Sequence, residues 1–162
     1  MNVLEKAIIH AARLNEADVL REVIAAGNDV NVRDEKGHTA LIVACYNNSF
    51  EAAKILLKAG ARVDDSDTGG NTALMGVAFK GYPQLATLLL QHGADLNLQH
   101  GNGGTALMFA AMFGRNDLVR LLLAEGADRN IKDSRGFTAA DLAAQQGNTE
   151  ALDLLEAEVP EN

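Results

Sequence analysis

The chain has 162 residues, 48% apolar and only 4% aromatic with no tryptophan, so leucine and alanine must fill the core of one globular domain, which favours closely packed helices. A net charge of −8, with lysines and arginines scattered rather than clustered, is the wrong field for phosphate backbones or anionic lipid, so neither nucleic acid nor membrane is expected as a partner. Glu5, Lys6 and Arg13 break up the N-terminal apolar residues, no spanning segment follows, and Cys45 is the only cysteine, which predicts a cytoplasmic protein without disulfides or thiolate metal clusters.

Taken in chain order, the sequence repeats itself. TALI (Thr39–Ile42), TALM (Thr72–Met75), TALM (Thr105–Met108) and TAAD (Thr138–Asp141) recur every 33 residues without gain or loss. Gly37, Gly70, Gly103 and Gly136 precede these motifs at the same step, and Gly27, Gly60, Gly93 and Gly126 follow the second apolar run. Residues 67–99 and 100–132 are identical at 15 of 33 positions. Five units result, at about 2–33, 34–66, 67–99, 100–132 and 133–162.

Each unit carries two amphipathic segments at helical spacing, such as TALMFAAMFG and NDLVRLLLAEG in the fourth. The turn between them needs a residue that tolerates positive φ, and the slot holds Asn15, Asn48, Gly81, Gly114 and Gly147. Pro83 falls at the first position of its helix, where the missing N–H costs nothing. Thr39, Thr72, Thr105 and Thr138 are placed to cap the first helices. Glu22 stands where inner units have Ile55, Leu88 and Leu121, and Glu156 where they have Leu57, Leu90 and Leu123, so the first and last units read as polar caps.

The period, the turn glycines, the paired leucines and GAD-x-N (Gly93–Asn97, Gly126–Asn130) resemble the ankyrin repeat, whose unit is a finger followed by two antiparallel helices. The resemblance implies an all-α solenoid of five helix-turn-helix units with short hairpin or turn fingers. The family's T-P-L-H departs here: Ala40, Ala73, Ala106 and Ala139 replace the proline, and Ile42, Met75, Met108 and Asp141 replace the histidine. Dry packing by adaptable methionines is expected in place of a histidine network.

Several features invite a chemical reading. The run QHGNGGTALM (Gln99–Met108) resembles a phosphate cradle, but it lacks the Lys-Ser/Thr of a P-loop, and Gly101 and Gly104 only fill positions held elsewhere by Glu35 and His38. An enzyme or small-ligand binder at Gly101–Gly104 is therefore the less favoured reading. His10, His38, His92 and His100 share no metal-ligand spacing, and Cys45 replaces Ala12, Ala78, Ala111 and Ala144 at a crowded helix position, so neither metal, cofactor nor nucleophile is expected.

By resemblance, recognition falls to the fingertips and the exposed ends of the first helices, which line a concave groove. That register reads Arg13, Tyr46, Phe79, Met112, Gln145, and its neighbour Leu14, Asn47, Lys80, Phe113, Gln146. With units about 10 Å apart, Tyr46, Phe79 and Met112 should form a stripe with Phe113 beside it, Phe137 on the last finger and Lys36, His38, Lys80 and Arg135 on the rim. The expectation is a non-enzymatic, monomeric module that binds a partner protein, with self-association through the stripe as another outcome. Small bacterial ankyrin proteins that inhibit an enzyme or accompany catalase are what the resemblance offers as partners' contexts.

Overall fold

A computed structural model describes residues 1–158; the end of the fifth unit, with Pro160, lies outside the described residues. They form ten helices: α1 (Val3–Leu14), α2 (Ala17–Ala25), α3 (Ala40–Tyr46), α4 (Phe50–Lys58), α5 (Ala73–Lys80), α6 (Pro83–Gln91), α7 (Ala106–Met112), α8 (Asn116–Ala124), α9 (Ala139–Gln145) and α10 (Thr149–Glu156). The odd-numbered helices pack side by side in one layer and the even-numbered ones in a second, each unit touching its neighbours.

Local chemistry sets the helix ends. Thr39, Thr72, Thr105 and Thr138 each accept a hydrogen bond from the backbone N–H three residues on, and Pro83 opens α6. Asn15 (φ 57°) and Asn48 (φ 56°) take the left-handed conformation that Gly81, Gly114 and Gly147 supply in later units. Asp141 completes a capping box by accepting from Thr138 N–H at 2.9 Å.

Between the layers lie Leu56, Leu89, Leu122 and Leu155 of the second helices and Leu41, Leu74 and Leu107 of the first, all buried. Each such leucine contributes roughly 1.5–3 kcal/mol by leaving water. Met75 and Met108 are also buried, filling the space of the missing histidines as expected. Ala12, Cys45, Ala78 and Ala111 are fully buried small residues, whereas Ala144 at the same position of the last unit is exposed, so the crowding expected there does not extend to the fifth unit. Burial pushes the Cys45 thiol up to about 12, which keeps it uncharged and unreactive.

The fingers contain isolated bridges rather than strands, Arg33 to Thr39 and Ser66 to Thr72. They are stitched to one another at the repeat period. Thr68, Gly101 and Ser134 donate their N–H groups to the carbonyls of Lys36, Gly69 and Asn102 at 2.9–3.1 Å. Asn31, Asp64 and Asn97 accept from the N–H groups of Arg62, Asp95 and Asp128. Glu22 and Glu156 are exposed, as expected of end positions, but the outer face of the first unit is not uniformly polar: Val3 is 82% exposed and Val19 40%. Val19 occupies the register of Ala52, Leu85, Leu118 and Ala151, which a preceding unit covers and buries.

Candidate functional site

The concave side is built by the fingers and by the C-terminal ends of α3, α5 and α7. Tyr46 closes α3 and stacks on Phe79, with ring centroids 6.3 Å apart and planes 8° from parallel. Phe79 in turn meets Phe113 edge to face at 4.6 Å. The ring ladder therefore continues through Phe113, not through Met112. Phe113 fills the slot of Lys80 in the repeat and brings a ring beside Phe79, where Met112 has none. Met112 is partly buried against the core, and so is Phe137, while Tyr46 (46% exposed) and Phe113 (43%) face solvent. Phe79 is half-buried among the rings.

The polar residues of the rim are held in place. Lys80 Nζ sits 4.8 Å above the Tyr46 ring, and Arg135 lies 5.0 Å over Phe137 while pairing with Asp133 at 2.9 Å. His38 bridges two fingers, with Nδ1 3.1 Å from Asp34 and Nε2 3.7 Å from Asp67. Asp34 collects the N–H groups of Lys36 and His38 on Oδ1 at 2.9 Å. Burial pushes its carboxyl up, but the His38 and Lys36 bonds outweigh that and hold it below the usual range.

His100 replaces the finger aspartate and does part of its work: Gly104 N–H donates to His100 Nδ1 at 2.8 Å, the bond that Asn71 and Phe137 give to Asp67 and Asp133. Its ring covers Gly104, where a Cβ would lie 2.7 Å from Cε1, and meets Phe109 edge to face at 5.1 Å. The His100 ring thus covers the fourth fingertip at Gly104. The N–H groups of Gly101, Gly103 and Gly104 go to Gly69 O, His100 O and His100 Nδ1, so these three cannot cradle an anion.

One register escaped the sequence reading. His10, Val43, Gly76, Phe109 and Leu142 occupy the helix position that faces the groove floor. At Gly76 the side chain is missing, and a cavity of about 630 Å³ opens there, lined by Ile42, Tyr46, Met75, Phe79 and Phe109 with Arg13, His38 and Asp67 at its edges. A second, of about 500 Å³, lies between His100, Phe109, Met112 and Arg135. A glycine inside an apolar helix, where its helix propensity is poor, was the available signal.

The paired helices, finger stitching and concave face can be set beside known proteins. A family model of ankyrin repeats, in three copies, matches residues 8–100 and again 74–160. The chain belongs to the ankyrin-repeat family. No curated protein matches it at a significant level. Ankyrin repeats are generally protein–protein interaction modules and typically not enzymes. No helix of the described ankyrin units is long and apolar enough to cross a membrane.

Proposed function

We propose that this ankyrin array captures a partner protein in its concave groove, with Tyr46, Phe79, Met112, Phe113 and Phe137 as the contact surface and Lys80 and His38 at its rim. The observation that supports this best is the Tyr46–Phe79–Phe113 ladder, three rings of successive units in contact, Tyr46 stacked on Phe79 and Phe113 edge to face with it, open to solvent at both ends. Core packing does not explain it, since Tyr46 and Phe113 remain exposed. Rigid, preordered aromatic surface binds with little loss of conformational entropy and is typical of interface hot spots. In this reading the protein acts as a cytoplasmic monomer without a cofactor.

The test replaces Tyr46 and Phe79 by alanine together and compares the variant with the native chain in pull-downs from extracts of the cells that produce it. Capture should fall at least about tenfold, while the variant should still fold, its stability lowered by the lost ring contacts, about 0.5–1.5 kcal/mol, and by the apolar area that half-buried Phe79 no longer covers. Unchanged capture by a folded double variant rules the groove out.

A further inference from the structure

The cavity above Gly76 adds a chemical preference to the groove. Glycine is a poor choice inside α5, and nothing in the packing demands it: a Cβ placed there meets only Tyr46 Cδ2, at an ordinary 3.6 Å. The same position carries Val43, Phe109 and Leu142 in other units, so the frame tolerates large side chains. What Gly76 provides is space: about 630 Å³, within the range of clefts that hold ligands, about 300–1,000 Å³, floored by Met75 and walled by Ile42, Tyr46, Phe79 and Phe109.

The charges around this space are unequal in their occupation. Asp67, at the finger end, accepts the N–H groups of Gly69 and Asn71 and the Asn71 side chain at 2.9–3.2 Å and lies 3.7 Å from His38. Asp34 is likewise engaged by His38 and Lys36. Arg13, at the opposite edge, has no carboxylate within 4 Å among the described residues, and Lys80 has only the Tyr46 ring. In a chain of net charge −8, the one charge left open at this cavity is therefore a cation, Arg13.

We infer that the Gly76 cavity seats a large apolar side chain of a partner's extended segment that carries a carboxylate beside it, the carboxylate meeting Arg13. This rests on the groove reading above and narrows it to an acidic, apolar-anchored peptide. The complementarity is positional: the apolar walls take the anchor, and the unpaired guanidinium takes the only charge in the segment that its surroundings leave unmatched.

The test pans a phage library of random dodecapeptides against the full chain and measures synthetic peptides of the enriched sequence by fluorescence anisotropy. Expected is a consensus with a large apolar residue and Asp or Glu within two positions. Binding should weaken at least tenfold in Gly76→Leu, which fills the cavity, and in Arg13→Glu, each confirmed as folded by its circular dichroism and cooperative melting. A basic consensus, no enrichment, or peptides indifferent to Gly76→Leu and Arg13→Glu overturn the inference. If such peptides still lose binding when Tyr46 and Phe79 are replaced by alanine, the groove reading stands without it; if they are indifferent to that change too, both fall. Self-association of the native chain that Gly76→Leu abolishes would make a second copy the occupant and also overturn it.

Discussion

Gly103 and Gly136 occupy the same finger position with nearly the same backbone, φ 81° and 86°, yet their surroundings differ. A Cβ on Gly103 would lie 2.8 Å from Ser134 N and 3.0 Å from Asp133 Cα, whereas at Gly136 nothing stands within 4 Å because no described finger follows. Gly136→Ala should cost only the left-handed backbone penalty, about 1–2 kcal/mol. Gly103→Ala should cost more, since the fingers must part and the Ser134 N–H bond to Asn102 O, worth about 1 kcal/mol, is lost with them. Urea unfolding of the two variants checks this, and equal losses would contradict it. The recurrence of both glycines at one place in the finger was legible from the 33-residue period. The close approach was not, because it depends on how one finger lies on the next. His100 shows the same limit: its slot in the repeat was readable, but the folding of its ring over Gly104 was not.

At the scale of elements, α10 packs against α8 and α9, and its start hangs on Asn148. That side chain accepts from Ala151 N–H at 3.2 Å, donates to Ala111 O at 2.9 Å and bonds to Asn116, tying the last helix pair to the one before. Arg129 grips the other end through Leu155 O and Ala157 O, where a cation also meets the negative end of the helix dipole. Asn148→Ala should remove the cap at a cost of about 1 kcal/mol or somewhat more. Because each unit leans only on its neighbours, the damage should stay local. Amide exchange should quicken across α10 and leave α5 and α6 protected; uniform acceleration along the chain would argue against nearest-neighbour stability. Helix order and the threonine caps followed from sequence periodicity. That Phe113 is the residue that meets the Phe79 ring did not, because it depends on how side chains of neighbouring units lie against each other.

For the whole molecule, three carboxyl groups link stability to acid. Asp133 is held below its ordinary 3.8 by the Phe137 backbone N–H and by Arg135, and Asp34 by His38 and Lys36 against the opposing pull of burial. Glu150 is held below 4.5 by the Asn116 side chain and by Arg120, which pairs with it between α8 and α10. A folded-state pKa below the unfolded one means the charged form favours the native state. The contribution is complete above the unfolded values and is lost as pH falls through the folded ones. The melting temperature should therefore show no loss from these groups between pH 7 and about pH 5 and should fall below about pH 4, with a smaller acid-side slope in Asp133→Asn. A loss from Asp133 that sets in near neutrality would contradict the assignment.

Tyr46 and Tyr82 are the only tyrosines of a chain without tryptophan. Tyr46 stands in the groove, between the Phe79 ring and the Lys80 ammonium, while Tyr82 packs against the core. One of the two tyrosine emitters of the protein thus stands in the wall of its candidate site, which makes the molecule its own optical probe: whatever displaces Lys80 or settles beside that phenol changes a signal that needs no label.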